Sequence, residues 1–139
     1  MGKNKENKNK NEYKHVNILG TDYTIIIVNN KDSKEYIEGK LDEYNGICMD
    51  NVGLIYVRGI PLMTDPEFSN EINDINMFNT TLRHELIHAF MNESGLRQCS
   101  AATAAWAENE EMVDYFAYQI PKIYKVYKEL GIEEDKTLK

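Results

Sequence analysis

The sequence predicts an α+β domain. The first half holds two pairs of short apolar stretches, each bent around turn-forming residues, and the second half holds two long stretches with helical apolar spacing. At 139 residues the chain is long enough for one domain with its own core.

Hydrophobic residues make up 42% and charged residues 28%, the balance of a globular rather than a disordered or membrane-embedded protein. No apolar run reaches the ~18 residues that crossing a bilayer requires, and the amino terminus has no apolar signal core. The expectation is a cytoplasmic protein that engages no membrane. Cys48 and Cys99 support no disulfide framework and are expected as reduced thiols.

Gly2 to Lys14 is almost all Lys, Asn and Glu, so residues 1–14 are expected as a disordered tail and residues 15–139 as the single domain. Five lysines against two glutamates give the tail +3 and leave the body with 11 basic and 21 acidic groups, or −10. An acidic body argues against nucleic-acid binding by the folded part.

Lys14 to Asn29 reads as two strands around a turn at Gly20 to Asp22, and the β-branched run Ile25 to Val28 suggests a strand covered on both faces. His15 reads as a half-exposed strand histidine rather than a remote ligand. Asn30 to Tyr44 is polar with Tyr36, Ile37 and Leu41 at helical spacing, which predicts a short amphipathic helix. A second hairpin pairs Gly46 to Met49 with Leu54 to Val57 around the turn formers Asp50 to Gly53. Ile60 to Asn70, with Pro61 and Pro66, is a loop, followed by a short turn at Glu71 to Met77.

Thr80 to Gly95 then carries the chemistry. Leu82, Leu86, Ile87 and Phe90 make an apolar stripe, Asn79 or Thr80 is placed to cap the start, and Gly95 to end the helix. His84 and His88 stand at i and i+4, so both imidazoles leave the helix on one side and can reach one cation. Imidazole suits Zn²⁺, which in catalytic sites takes three protein ligands and keeps a fourth position open. Glu85 follows the first histidine, beside the metal rather than on it, where it can act as general base toward an attacking water. His-Glu-Leu-Ile-His is thus the HExxH arrangement of zinc metallohydrolases.

A third ligand is less direct. Met91 and Ser94 occupy the places of Gly and His in HExxHxxGxxH, and no histidine follows His88. Ala101 to Ile120 is the later stretch with a strong helical pattern, placing Trp106, Val113, Phe116, Ala117 and Ile120 on one side. On that wheel Glu110 lies roughly 40° from Trp106 and Glu111 roughly 140°, so Glu110 is the better ligand. Asp114, one turn on, can accept the outer ring N–H of a liganding histidine. Glu111, Asp114 and Cys99 stand as alternatives, against the plainer reading of Glu108, Glu110 and Glu111 as a solvated acidic face near a helix start. Pro121 is expected to break or kink the helix, with Ile123, Tyr124 and Tyr127 facing inward from a last helix, Lys122 to Leu130, that Gly131 ends.

LRHELIHAF, preceded by two short strands and followed by EEMVDYFAYQIP, resembles the small ImmA/IrrE-type zinc metallopeptidases of phages and mobile elements. The resemblance covers roughly Tyr44 to Pro121 and is strongest in the two helices. It implies His84, His88 and Glu110 as zinc ligands, Glu85 as general base, and Asp114 where that family has Asn or Asp. It also implies a minimal zincin-like fold, a small antiparallel sheet packed on the HExxH helix and a second ligand-bearing helix. The sheet edge over the metal, here Leu54 to Val57, would pair with an extended peptide or protein substrate. An oxyanion-stabilising group is not singled out among Tyr115, Tyr118 and Tyr124. Two other functions fit the same motif: a non-catalytic binding or regulatory module with a structural zinc, for instance with Cys99 as a fourth ligand, and a zinc hydrolase of a non-peptide amide.

Overall fold

Strand β1 (Glu12–Ile18) turns back on β2 (Thr21–Val28) through Leu19 and Gly20, whose φ values of 50° and 96° suit a tight antiparallel hairpin. The turn falls one residue earlier than expected, because Thr21 and Asp22 already pair with Ile18 and Asn17. The computed structural model describes residues 10–63, 70–94 and 109–134. Within the expected tail, residues 12–14 belong to β1, and the Asn11 side chain accepts from the backbone N–H groups of Asn29 at 2.9 Å and Asn30 at 3.1 Å. Those two bonds hold a stretch that composition alone marks as solvated; residues 1–9 lie outside the described residues.

Helix α1 (Lys34–Glu38) is shorter than the amphipathic helix expected over Asn30 to Tyr44. It stops at Gly39, where an added Cβ would sit 2.7 Å from the Tyr56 Cβ. Leu41 is fully buried, while Ile37 faces solvent.

The second hairpin, β3 (Gly46–Met49) and β4 (Leu54–Arg58), pairs antiparallel as expected, closed by Gly53 in the left-handed conformation (φ 63°). Its position in the sheet differs from expectation. The order is β1-β2-β4-β3 with β2 and β4 parallel, so the four-stranded sheet is mixed rather than wholly antiparallel. Leu54 to Val57 is therefore central, and β1 and β3 are the edges. The reason is burial: Ile25 to Val28 and Ile55 to Val57 are apolar toward both faces, and two such runs lose most water contact side by side in the middle. The α+β class stands.

Alternation splits the core in two. Ile25, Ile27, Ile55 and Val57 point to one face, and Ile26, Val28 and Tyr56 to the other, where Leu41 and Leu62 cover them. The first face is covered by helix α2 (Glu71–Glu93) through Phe78, Leu82, Leu86 and Ala89.

Helix α2 has 23 residues and absorbs the expected turn at Glu71 to Met77. Its cap is Asn70, whose side chain accepts from the Asn73 N–H at 2.9 Å, with Glu71 and Asp74 in the first turn complementing the dipole. Asn79 and Thr80 are helix interior. Leu82 and Leu86 of the expected stripe pack inward, whereas Phe90 is exposed and its neighbour Ala89 takes the buried position. At its far end Glu93 accepts from Thr21 Oγ1 and Tyr23 Oη, both at 2.6 Å, locking the helix to β2. The helix ends at Glu93; Gly95 lies outside the described residues.

Helix α3 (Glu110–Leu130) runs unbroken through Pro121. Val113 and Ala117 pack inward as expected, whereas Tyr124 and Tyr127 are exposed rather than inward-facing. The described helix starts at the Asn109 cap, which accepts from the Met112 N–H at 2.9 Å, and the expected residues 101–108, Trp106 among them, lie outside the description. Among the described residues no helix is long and apolar enough to cross a membrane.

Candidate metal centre

Helices α2 and α3 pack antiparallel, since partners that climb one descend the other: Arg83 meets Ala117, His84 meets Asp114, and His88 meets Glu110. Helical spacing puts His84 and His88 on one flank of α2, and the crossing brings Glu110 of α3 onto the same flank. The His84 Nε2 and His88 Nε2 atoms are 3.1 Å apart. Glu110 Oε2 lies 2.8 Å from the first, and Glu110 Oε1 lies 3.2 Å from the second.

These separations fit a shared cation. Donors at ~2.0–2.1 Å around a tetrahedral ion are roughly 3.3 Å from one another, close to the triangle found here. Two imidazole nitrogens and a carboxylate are also the donor chemistry that zinc accepts. His84, His88 and Glu110 thus form a group able to hold a metal ion.

The outer nitrogen of His84 is engaged. Its Nδ1 lies 2.6 Å from Asp114 Oδ1, which favours the tautomer with the proton on Nδ1 and the lone pair of Nε2 turned to the triangle. Asp114 sits one turn past Glu110, as the spacing predicts.

Glu85 stands apart from the donors. It is only 6% exposed, with Oε1 4.0 Å from His84 Nε2 and its carboxylate accepting from the Cys48 backbone N–H. Burial, with the nearby charges of Glu110 and Asp114, pushes its carboxyl up to about 7, against the lowering influence of His84 and the Cys48 N–H. A carboxyl poised near neutrality beside an open site can take and return a proton at physiological pH.

The cleft in front of these groups has a volume of about 920 Å³. Edge strand β3 and Tyr44 form one wall, α2 its floor, and Glu110, Asp114 and Tyr118 the other wall. Of the three tyrosines left equivalent by sequence, Tyr118 lines the cleft, at the same four-residue step as Glu110 and Asp114. That repeat was a readable signal. Gly46 carried a weaker one: a Cβ there would lie 3.1 Å from both Glu85 Cγ and Thr81 Cγ2, tighter than side chains ordinarily pack, so a glycine suits the close approach of β3 to the motif helix. The Cys48 N–H donated to Glu85 had none, because main-chain donors carry no residue signature.

Glu111 is exposed and absent from the donor group, and His15 is exposed on β1, 3.2 Å from Thr24 Oγ1. Cys48 is half-buried and takes part in no disulfide among the described residues. Cys99 and Glu108 lie outside the described residues. Comparison of the chain with family models, curated proteins and solved structures finds no match.

Proposed function

We propose that the chain is a zinc-dependent metallopeptidase of the kind its resemblance to the ImmA/IrrE-type enzymes suggests, acting in the cytoplasm on a peptide or protein. The observation that carries this reading is the convergence of His84, His88 and Glu110 donors within 4.8 Å of one another, with buried Glu85 beside them and outside the donor set. Zn²⁺ held there supplies a Lewis acid that makes water acidic near neutral pH. Asp114 orients the His84 ring, and Glu85 receives the proton of the attacking water and passes it to the leaving amine. Edge strand β3, rather than β4, is the wall along which an extended substrate would lie.

His84, His88 and Glu110 would supply the three protein donors that a catalytic zinc takes, and a fourth protein ligand on the metal would select the structural reading instead. A zinc hydrolase of a non-peptide amide uses the same residues and is separated by substrate alone.

The test is metal content together with hydrolysis of a degenerate fluorogenic peptide library. Protein prepared without chelator is expected to hold about one zinc per chain, and Glu85→Gln to keep that zinc while losing activity on the order of 10²–10⁴-fold. A zinc-loaded Glu85→Gln variant as active as the parent would falsify the mechanism. Activity on small amides with none on the library selects the non-peptide reading.

A further inference from the structure

We propose that Arg83 is a positioning residue for the metal site, acting through the Ala117 carbonyl that Pro121 leaves without its helical partner. In an α-helix the carbonyl of residue 117 accepts from the N–H of residue 121, and proline has no N–H to give. Ala117 is fully buried, so water does not readily replace that donor. Arg83 does: its Nε donates to Ala117 O at 2.9 Å from across the helix pair. Its Nη2 lies 3.2 Å from Thr80 Oγ1, which steadies the guanidinium on its own helix.

The placement of this bond makes it more than a local repair. Arg83 directly precedes His84, and Ala117 follows Asp114 by three residues, so the bond ties the ligand-bearing turn of α2 to the adjoining turn of α3. Residues 94–109 separate the two helices in sequence, and Glu110 and Asp114 reach the histidines with side chains that are 66% and 56% exposed. Exposed carboxylates on a separate helix keep coordinating distances only if the helix backbone is held in register, and a bond from a charged donor to a buried carbonyl fixes it. Pro121, which by itself weakens a helix, here creates the acceptor that aligns it.

This inference rests on reading His84, His88 and Glu110 as metal ligands. It is tested on the full chain by zinc affinity, measured by chelator competition, and by thermal unfolding of the metal-free protein, for the parent, R83M, R83K, P121A and R83M/P121A. R83M is expected to bind zinc roughly tenfold more weakly at a temperature where it is fully folded, with R83K recovering part of the loss. In the P121A background residue 121 has an N–H for the carbonyl, and the cost of R83M is expected to shrink to about threefold or less. R83M that unfolds more readily but binds zinc like the parent overturns the positioning role, as does an equal loss in both backgrounds. If R83M does not fold, R83K decides: parental zinc affinity in R83K with a matching thermal loss overturns the proposal, and a weakened affinity supports it. A parent protein that takes up no zinc overturns the metal reading itself rather than the tie.

Discussion

Asp114 Oδ1 lies 2.6 Å from His84 Nδ1, so a carboxylate on α3 holds the ring that α2 offers to a metal. The bond orients the ring and favours the tautomer with its proton on Nδ1, and it leaves the Glu110 donor untouched.

Asp114→Ala is therefore expected to weaken zinc binding by roughly 10–100-fold while the fold is retained, because the side chain is more exposed than buried. Competition with a chromogenic chelator reads the change. Affinity within a factor of two of the parent would show that the His84 ring needs no such partner.

The raised carboxyl of Glu85 has a consequence for the metal-free protein. A group whose folded-state pKa lies above its unfolded value contributes stability that is fully present below the unfolded value and is lost as pH rises through the folded one. For Glu85 the window runs from 4.5 to about 7. Glu85→Gln removes this loss, so its unfolding free energy relative to the parent should grow by on the order of 3 kcal/mol between acid and mildly alkaline pH. Denaturant titrations of chelator-treated protein across that range measure it, and parallel profiles for the two proteins would contradict the burial argument.

Glu93 shows the opposite sign. Hydrogen bonds from Thr21 and Tyr23 lower its pKa, so its contribution is present above the unfolded value and disappears as pH falls through the folded one. Glu93→Ala also leaves the hydroxyl of Tyr23, a residue only 1% exposed, without its acceptor. The expected cost at neutral pH is about 1–3 kcal/mol, shrinking toward acid. Equilibrium unfolding at neutral and acid pH tests both parts, and a cost independent of pH would remove the carboxylate from the explanation.

Gly46→Ala places a methyl group 3.1 Å from Glu85 Cγ and Thr81 Cγ2 and 3.2 Å from Tyr56 O. Relief requires the Glu85 and Thr81 side chains or the β3 backbone to give by a few tenths of an ångström, at about 1–3 kcal/mol of stability. It is also expected to shift the Cys48 N–H from the Glu85 carboxylate, so under the proposed function hydrolysis is expected to fall further than zinc affinity does. The comparison of turnover with zinc binding in one preparation distinguishes this from simple destabilisation; unchanged turnover would mean the strand approach is not needed.

Much of the site was readable in one dimension. The i and i+4 histidines, Glu85 between them, Glu110 rather than Glu111, and Asp114 one turn on all follow from helical geometry, and the structure brings the four outer groups together. Turn formers and apolar runs likewise made the two hairpins and the doubly covered run Ile25 to Val28 readable. What escaped the sequence has a common physical character. Placing β4 beside β2, in parallel, depends on which of two equally apolar runs meets which, a choice made by burial across the whole sheet. Helix α2 extends back to Asn70 through residues of modest helix propensity because Phe78 finds the core. Tyr124 and Tyr127, apolar in pattern, are exposed because nothing among the described residues covers that end of α3.

Pro121 marks the boundary most clearly. Read along the chain it removes a donor and should break or kink the helix, and the missing donor is real. The helix nevertheless continues, and Arg83, 38 positions earlier, supplies a donor to Ala117 in place of the missing one. Side-chain spacing within one element is a local property that covalent geometry transmits, so the residue types and faces of the site were determined by the sequence alone. Which strand became the edge, which main-chain N–H reached Glu85, and which side chain repaired the proline were decided only by packing, since each depends on groups that meet in space without any fixed separation along the chain.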